Sequence, residues 1–249
     1  MSTTRPPLPA VLLDLDGTLL DTRALWHAAY LQLADELGVE APADLWERVA
    51  GRSMRASLEV YGPAAEREDP DRLVARLVTL AAEVITRPDG AGGRTRQGTS
   101  GWSWLPGARE LLLTLRADHA ERPDVALVTS AWREFTVPLL AEALEGEDVV
   151  ADTFDAIVCG DDVQEGKPAP ESHLRAAALL DVAPEQCLVV EDSPTGVTAS
   201  ESAGMVTLVV PHGGPVAQGP GREVRTDLRG ITLADLGELH ARLRSERAG

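Results

Sequence analysis

The residues most able to do chemistry are two aspartates, Asp14 and Asp16, at the end of the apolar run 11–15. A carboxylate there can attack phosphorus, while a second one, protonated part of the time, can protonate the leaving oxygen and then activate water. Gly17 permits the turn that would bring both side chains into one pocket. The pair therefore fits phosphoryl transfer, with a helix-capping turn and a calcium loop as alternatives.

A second acidic pair, Glu191 and Asp192, follows the apolar run 187–190. Beside Asp14 and Asp16, these carboxylates would repel one another unless a hard cation lay between them. Mg²⁺ fits this role because it takes a few carboxylate oxygens, keeps several waters and bridges to a phosphate oxygen. The pair therefore predicts a Mg²⁺ site, with a solvated helix cap as the alternative.

Two further positions could bind a phosphate group. Lys167 is the only lysine among 23 Lys and Arg residues, and Pro168 and Pro170 would present it from a stiff segment. Its compact ammonium is a charge that a planar guanidinium does not replace. Thr129 and Ser130 end another apolar run and can open a helix whose backbone amides bind phosphate, although such a pair is more often only an N-cap.

The composition limits the partners of the protein. The chain has 249 residues, of which 40 are acidic and 23 basic, and a formal net charge of -17. This field repels nucleic acid and anionic lipid, so we expect neither as a partner, and it obliges an anionic substrate to find a local cation. No secretory signal and no membrane-length apolar run occur, so we expect a cytoplasmic protein, as a monomer or weak dimer. Cys159 and Cys187 lie in apolar runs, which favours buried thiols over a disulfide or a nucleophile.

The apolar runs and the helical patterns between them indicate an α/β fold. Runs that end abruptly in polar residues predict buried parallel strands at 11–15, 125–128, 156–159, 187–190 and 206–210. Amphipathic patterns predict helices at 108–115, 135–144, 171–180 and 195–203. The alternation predicts a doubly wound, mainly parallel, Rossmann-like sheet whose ligands bind beyond the carboxyl ends of the strands.

An inserted helical domain is expected after the first strand. More than 100 residues separate that strand from the second, far beyond a single crossover helix. Helical patterns cover residues 23–37, 43–49, 54–61 and 71–86. We therefore predict a catalytic core of residues 1–21 and 104–249, a helical cap of residues 22–86, and a flexible linker of residues 87–103, which is rich in Gly, Thr and Arg.

Four motifs in this order resemble the haloacid dehalogenase superfamily, especially its phosphatase branch with a helical cap after the first motif. They are Asp-x-Asp-Gly-Thr from residue 14, a strand-terminal Thr129, Gly-Lys-Pro-x-Pro-Glu at 166–171, and Glu-Asp-Ser-Pro-x-Gly at 191–196. The resemblance is most specific over residues 11–21 and 166–204.

The resemblance implies a role for each motif residue. It implies that Asp14 becomes a phospho-aspartate, that Asp16 is the general acid/base, and that Thr129 and Lys167 hold the phosphoryl group. It also implies that Mg²⁺ is bound by Asp14, the Asp16 carbonyl oxygen and Asp192, with Glu191 in or beside that shell.

The resemblance also bears on the substrate. Asp16 argues for phosphoryl chemistry, because the dehalogenases of this superfamily lack the second aspartate of the first motif. Residues 127–133 and 161–171 look most like those of sugar and polyol phosphatases. A β-phosphoglucomutase-like enzyme and a phosphoglycolate phosphatase are the alternatives, and a non-enzymatic sensor of phosphorylated ligands is the remotest one.

A loop of the cap, residues 50–55, is expected to reach the active site of such an enzyme and to contact the substrate through Gly51, Arg52 and Arg55. Met54 stands where the mutases carry an arginine for a second phosphate, which favours hydrolysis, although Arg52 or Arg55 could substitute. His27 matches a histidine of the mutases and is a further candidate, with an ordinary helix-surface histidine as the alternative.

Overall fold

The computed structural model describes residues 8–50, 52–86, 101–116, 122–212 and 214–248. Its strands are β1 (Ala10–Leu13), β2 (Leu20–Asp21), β3 (Ser103–Trp104), β4 (Asp124–Val128), β5 (Ala156–Val158), β6 (Cys187–Glu191), β7 (Val206–Val209) and β8 (Arg222–Val224). Six of them form one parallel sheet in the order β5-β4-β1-β6-β7-β8, while β2 and β3 form an antiparallel pair. The predicted doubly wound, mainly parallel sheet is confirmed.

The helices fall into two groups along the chain. Between β2 and β3 lie α1 (Arg23–Glu36), α2 (Leu45–Val49), α3 (Met54–Ser57), a 3₁₀ turn (Leu58–Tyr61), α4 (Pro63–Glu66) and α5 (Pro70–Thr86). From β3 onward lie α6 (Ala108–Arg116), α7 (Arg133–Ala143), α8 (Glu147–Thr153), α9 (Glu171–Leu179), α10 (Pro194–Ser202) and α11 (Leu233–Ala248).

The sheet is covered on both faces because side chains along a strand alternate between its two sides. Val11 and Leu13 of β1 face one way and share a core with α6, α7 and α11, including Phe135 of α7. Leu12 faces the other way and shares a core with Ala176 of α9. The strands are nearly continuous apolar runs because both faces are buried.

The helices α1 and α5 are bound to each other and to the sheet domain. The guanidinium of Arg76 in α5 is 2.5 Å from the carboxylate of Glu36 in α1. The hydroxyl of Thr79 in α5 donates a hydrogen bond of 3.2 Å to Glu134 in α7. The apolar core on this side of the sheet continues into the helices that follow β2. The helical insertion therefore lies over the α7 side of the sheet.

Several elements differ from the sequence expectations, among them the helices α4, α8 and α11, which were not expected. The strand β8 was not predicted because its three half-buried residues contain no apolar run. The pair β2–β3 joins Leu20 to Trp104, so regular structure begins at Ser103, the last residue of the predicted linker. Residues 87–100 of that linker lie outside the described residues. The division into core, cap and linker stays a prediction.

Two further observations concern the cysteines and the apolar character of the helices. Cys159 and Cys187 are both buried, as predicted. None of the described helices combines the length and the apolar character that a membrane span requires.

Candidate active site

The predicted chemical residues meet at one edge of the sheet because three neighbouring parallel strands end there. In the register of the sheet, Leu13 of β1 pairs with Leu127 of β4 and with Val190 of β6. The residues that follow these positions therefore lie side by side at the carboxyl ends of the strands. Asp14 and Thr129 are among them, and both are buried.

Lys167 reaches this edge from the segment before α9 and is almost fully enclosed. Its Nζ atom donates hydrogen bonds to Asp14 at 2.8 Å, to Glu191 at 2.5 Å and to the Val128 carbonyl oxygen at 3.1 Å. Burial by itself would lower the pKa of Lys167, but the two carboxylates outweigh it and hold the pKa above its usual value. The lysine is therefore a fixed positive charge beside the Asp14 oxygen.

Both carboxylate oxygens of Glu191 accept hydrogen bonds, which orient the side chain. One oxygen binds Lys167, and the other accepts from the backbone N–H groups of Asp192 at 2.8 Å and Ser193 at 2.9 Å and from the Ser193 hydroxyl at 3.0 Å. Burial would raise the pKa of Glu191, but the charge of Lys167 and these hydrogen bonds lower it. Gly196 of α10 leaves the space for this carboxylate, since a Cβ atom there would lie 1.7 Å from a Glu191 oxygen.

Asp14, Glu191 and Asp192 form a buried carboxylate cluster with one oxygen of each within 4.8 Å of the others. Burial raises the pKa of Asp14 to about 7 and that of Asp192 to about 9, and for Asp192 the charge of Asp14 adds to the shift. Gly17 has a φ of +87°, and a Cβ atom there would lie 2.3 Å from Asp192. These groups suit a hard divalent cation, because such an ion would offset the repulsion between the carboxylates, which adds to the effect of burial on both pKa values.

Asp16 turns towards the helical insertion. One of its oxygens accepts hydrogen bonds from the Thr22 hydroxyl at 2.5 Å and from the Trp26 indole N–H at 3.0 Å. The other lies 3.4 Å from the Thr129 hydroxyl. Burial raises the pKa of Asp16, and these hydrogen bonds oppose that shift.

Two polar residues, Asp21 and Thr22, hold the start of α1. Thr22 occupies the N-cap position but makes no capping hydrogen bond, since its hydroxyl binds Asp16 instead. Asp21 accepts from the backbone N–H of Arg23 at 3.2 Å and from its guanidinium. The carboxylate is thus tied to the side chain of the first helical residue.

A cavity of about 750 Å³ lies between this edge of the sheet and the helical insertion. Seven predicted residues besides the acidic pairs were candidates for contact with substrate, and five of them line the cavity: Thr129, Ser130, Lys167, Arg52 and Arg55. His27 does not, although its neighbour Trp26 does. Gly51 lies outside the described residues. All four acidic residues of the two pairs line the same cavity.

Sequence reasoning missed the residues that hold Asp16. Trp26 is buried, and its indole packs on the ring of Phe135 with centroids 4.6 Å apart. The neighbouring position, His27, was the candidate because it matches a histidine of the mutases, but one step along a helix turns a side chain by about 100°. The tryptophans were a signal in the sequence that could have indicated these residues, because three of the chain's five line the cavity: Trp26, Trp46 and Trp132.

Comparisons with known proteins identify relatives of this chain. A family model described as haloacid dehalogenase-like hydrolase matches residues 8–204. Hexitol phosphatase B of Escherichia coli (strain K12) is 31% identical over 246 residues, which cover 95% of this chain and 97% of that protein. Beta-phosphoglucomutase of Bacillus subtilis (strain 168) is 29% identical over 218 residues, 84% of this chain and 86% of that protein.

A solved structure shares the fold. The crystal structure of CbbY from Rhodobacter sphaeroides in complex with phosphate superimposes with a TM-score of 0.70 at 22% identity, covering 92% of this chain and 99% of that one. The sheet, its helical insertion and the family match together define a hydrolase of the α/β class. The chain belongs to the haloacid dehalogenase-like hydrolase family, and the protein is an enzyme.

Proposed function

We propose that this enzyme is a Mg²⁺-dependent phosphatase that hydrolyses a small phosphate monoester, a sugar or polyol phosphate, through a phospho-aspartate on Asp14. The observation that carries the proposal is the contact of the buried Asp14 carboxylate with the chain's only lysine, 2.8 Å away, beside Asp16 and Asp192. The names of the hexitol phosphatase and β-phosphoglucomutase relatives support a phosphorylated carbohydrate as substrate.

The first half of the reaction transfers the phosphoryl group to the enzyme. Lys167 attracts the phosphate and holds Asp14 in line with it. An Asp14 oxygen forms a bond to phosphorus while the bond from phosphorus to the ester oxygen breaks, and Asp16 gives its proton to that oxygen. Burial raises the pKa of Asp16, which favours the protonated form that this step needs.

The second half releases phosphate and restores the enzyme. Asp16, now a carboxylate, takes a proton from a water molecule, whose oxygen attacks phosphorus and breaks the bond to Asp14. Asp14, Asp192 and the carbonyl oxygen of Asp16 are the groups that would hold Mg²⁺, which supplies charge neutralisation at the phosphate oxygens when bound. Glu191 orients Lys167, since both of its oxygens already accept hydrogen bonds.

The covalent step can be tested with Asp14→Asn. We expect turnover of p-nitrophenyl phosphate with Mg²⁺ to fall by about 1,000-fold or more, because an amide is a poor nucleophile. Acid-quenched wild-type enzyme should carry a phosphate on the peptide that contains Asp14, and the variant should not. Chelation of Mg²⁺ should abolish activity, and added Mg²⁺ should restore it.

Asp227→Asn is the control, because Asp227 pairs with Arg229 on the surface and has no part in the cavity. Retention of wild-type turnover by Asp14→Asn would contradict the covalent mechanism.

A phosphomutase is the second candidate function, because one relative is named β-phosphoglucomutase. A mutase would convert glucose 1-phosphate to the 6-phosphate without releasing phosphate. A phosphatase would release one phosphate per substrate consumed, so the yield of phosphate separates the two activities.

A further inference from the structure

The active-site cavity holds a large share of the aromatic side chains of this protein. The chain contains five Trp, two Tyr and two Phe residues, and Trp26, Tyr30, Trp46 and Trp132 line the cavity. Indole rings offer wide, flat apolar surfaces that pack against C–H groups and other rings. A ligand would therefore meet aromatic surface beyond its phosphate.

The cations of the cavity are already neutralised by acids of this chain. Arg52 binds Glu59 with its guanidinium 2.6 Å from the carboxylate, and Arg55 binds Asp71. Asp71 itself lines the cavity. Among the described residues, the other lining Arg and Lys side chains are Arg23, which pairs with Asp21, and Lys167, which binds Asp14 and Glu191.

The space available exceeds what a small ester fills. The cavity measures about 750 Å³, within the range of roughly 300–1,000 Å³ that suits ligands of drug size. A phosphorylated two- or three-carbon acid would leave much of it to water, and its carboxylate would have no unpaired cation to bind among the described lining residues.

We propose that the leaving group of the substrate is electrically neutral and at least as large as a six-carbon polyol, and that it packs its C–H face on the indoles of the cavity. This inference rests on the proposed phosphatase function and narrows its substrate class. A second anionic group on the substrate is disfavoured, because Glu59 and Asp71 already bind Arg52 and Arg55 of the cavity lining, and Asp71 itself lines the cavity. The net charge of -17 adds to that repulsion.

Two matched pairs of esters separate charge from size. Sorbitol 6-phosphate and 6-phosphogluconate have the same carbon chain but differ by one carboxylate, and so do glycerol 3-phosphate and 3-phosphoglycerate. We expect kcat/KM to be about tenfold higher for the neutral member of each pair, and about tenfold higher for sorbitol 6-phosphate than for glycerol 3-phosphate.

Substitution of the paired acids tests the role of charge. Glu59→Gln and Asp71→Asn should each free an arginine and raise kcat/KM for 6-phosphogluconate by about three- to fivefold, the worth of displacing one exposed ion pair. Asp44→Asn is the matched control, because Asp44 forms a similar exposed pair with Arg48, at 2.9 Å, that does not line the cavity. It should leave the preference between the two esters unchanged.

Substitution of an indole tests the role of packing. Trp46→Ala should lower kcat/KM for sorbitol 6-phosphate about tenfold and for glycerol 3-phosphate by much less. The ratio of the two values within one variant does not depend on the fraction that is folded.

The inference would be overturned by a wild-type preference for 6-phosphogluconate, 3-phosphoglycerate or phosphoglycolate. Equal effects of Asp71→Asn and Asp44→Asn on the ester preference would also overturn it. Failure of the wild-type enzyme to hydrolyse any of these esters or p-nitrophenyl phosphate would instead contradict the proposed phosphatase function.

Discussion

Two donors from the start of the helical insertion, Thr22 and Trp26, bind the same oxygen of Asp16. An indole N–H can only donate, so Trp26 recognises an oxygen that carries no proton. The other oxygen accepts only the longer hydrogen bond of 3.4 Å from the Thr129 hydroxyl, so we expect it to carry the proton that general acid catalysis needs. This makes Trp26 a positioning residue that fixes which side of the carboxyl group faces the ester.

Trp26→Phe should impair the proton transfer while leaving the nucleophile in place. We expect kcat/KM to fall about tenfold for an alkyl phosphate, whose leaving oxygen needs a proton, and to change less than about threefold for dinitrophenyl phosphate, whose leaving group does not. Steady-state kinetics with both esters measures the difference.

Trp104→Phe is the control for this prediction, because Trp104 lies in β3 and does not line the cavity. Asp16→Asn should show the same dependence on the leaving group as Trp26→Phe, only larger. Equal losses on both esters in Trp26→Phe would mean that the indole acts through packing alone.

At the scale of the elements, α10 approaches the end of β6 so closely that only glycine fits between them. A Cβ atom on Gly196 would lie 1.7 Å from one oxygen of Glu191 and 1.9 Å from its carboxyl carbon. The Ser193 side chain caps α10 through a hydrogen bond of 3.1 Å from the Gly196 N–H and also donates to Glu191. The helix start thus fixes Glu191, and Glu191 fixes Lys167.

Gly196→Ala should reverse the usual effect of this substitution in a helix. Alanine commonly stabilises a helix interior by about 0.5–1 kcal/mol relative to glycine. Here the new methyl group must displace a buried, hydrogen-bonded carboxylate, so we expect a loss of unfolding free energy of about 2 kcal/mol or more and a loss of most activity. Chemical denaturation and a phosphatase assay measure the two effects.

Gly237→Ala provides the matched control, because Gly237 lies inside α11 and a Cβ atom there would meet nothing within 4 Å. That variant should gain stability and keep its activity. A stable, active Gly196→Ala enzyme would show that Glu191 can move without cost.

At the scale of the whole molecule, a buried histidine near the active site makes the free energy of unfolding depend on pH. His173 of α9 is fully buried, and neither of its ring nitrogens has a hydrogen-bond partner among the described residues. Burial lowers the pKa of His173 to about 3, and the nearby charge of Lys167 acts in the same direction. The folded protein therefore keeps this imidazole neutral at pH values where the unfolded chain binds a proton.

The sign of the resulting pH dependence follows from linkage. Stability from His173 is fully present above about pH 6.5, the value for the unfolded chain, and is lost as the pH falls towards about 3. We expect this group to account for about 2 kcal/mol of the stability lost between about pH 7.5 and about pH 5. His173→Phe should remove this share of the stability loss, which urea denaturation at both pH values measures. The same loss in the variant and the wild type would show that His173 does not cause it.

The sequence predicted much of the core because its signals are local. Buried parallel strands are short apolar runs, and the polar residue at the end of each run marks the sheet edge where ligands bind. Asp14, Thr129 and Asp192 could therefore be expected together before any distance was known. The strand β8 carries no such run, and its pairing with β7 depends on burial supplied by the rest of the fold.

By itself, then, the sequence determined the family, the sheet and the set of residues at its edge, because strand direction and apolar pattern suffice to bring those residues together. The tertiary structure alone decided what the helical insertion contributes. It brought Trp26 rather than His27 to Asp16, and it paired Arg52 and Arg55 with acids. Contacts of that kind depend on how helices pack and rotate about their axes, and the spacing of residues along the chain does not specify that geometry.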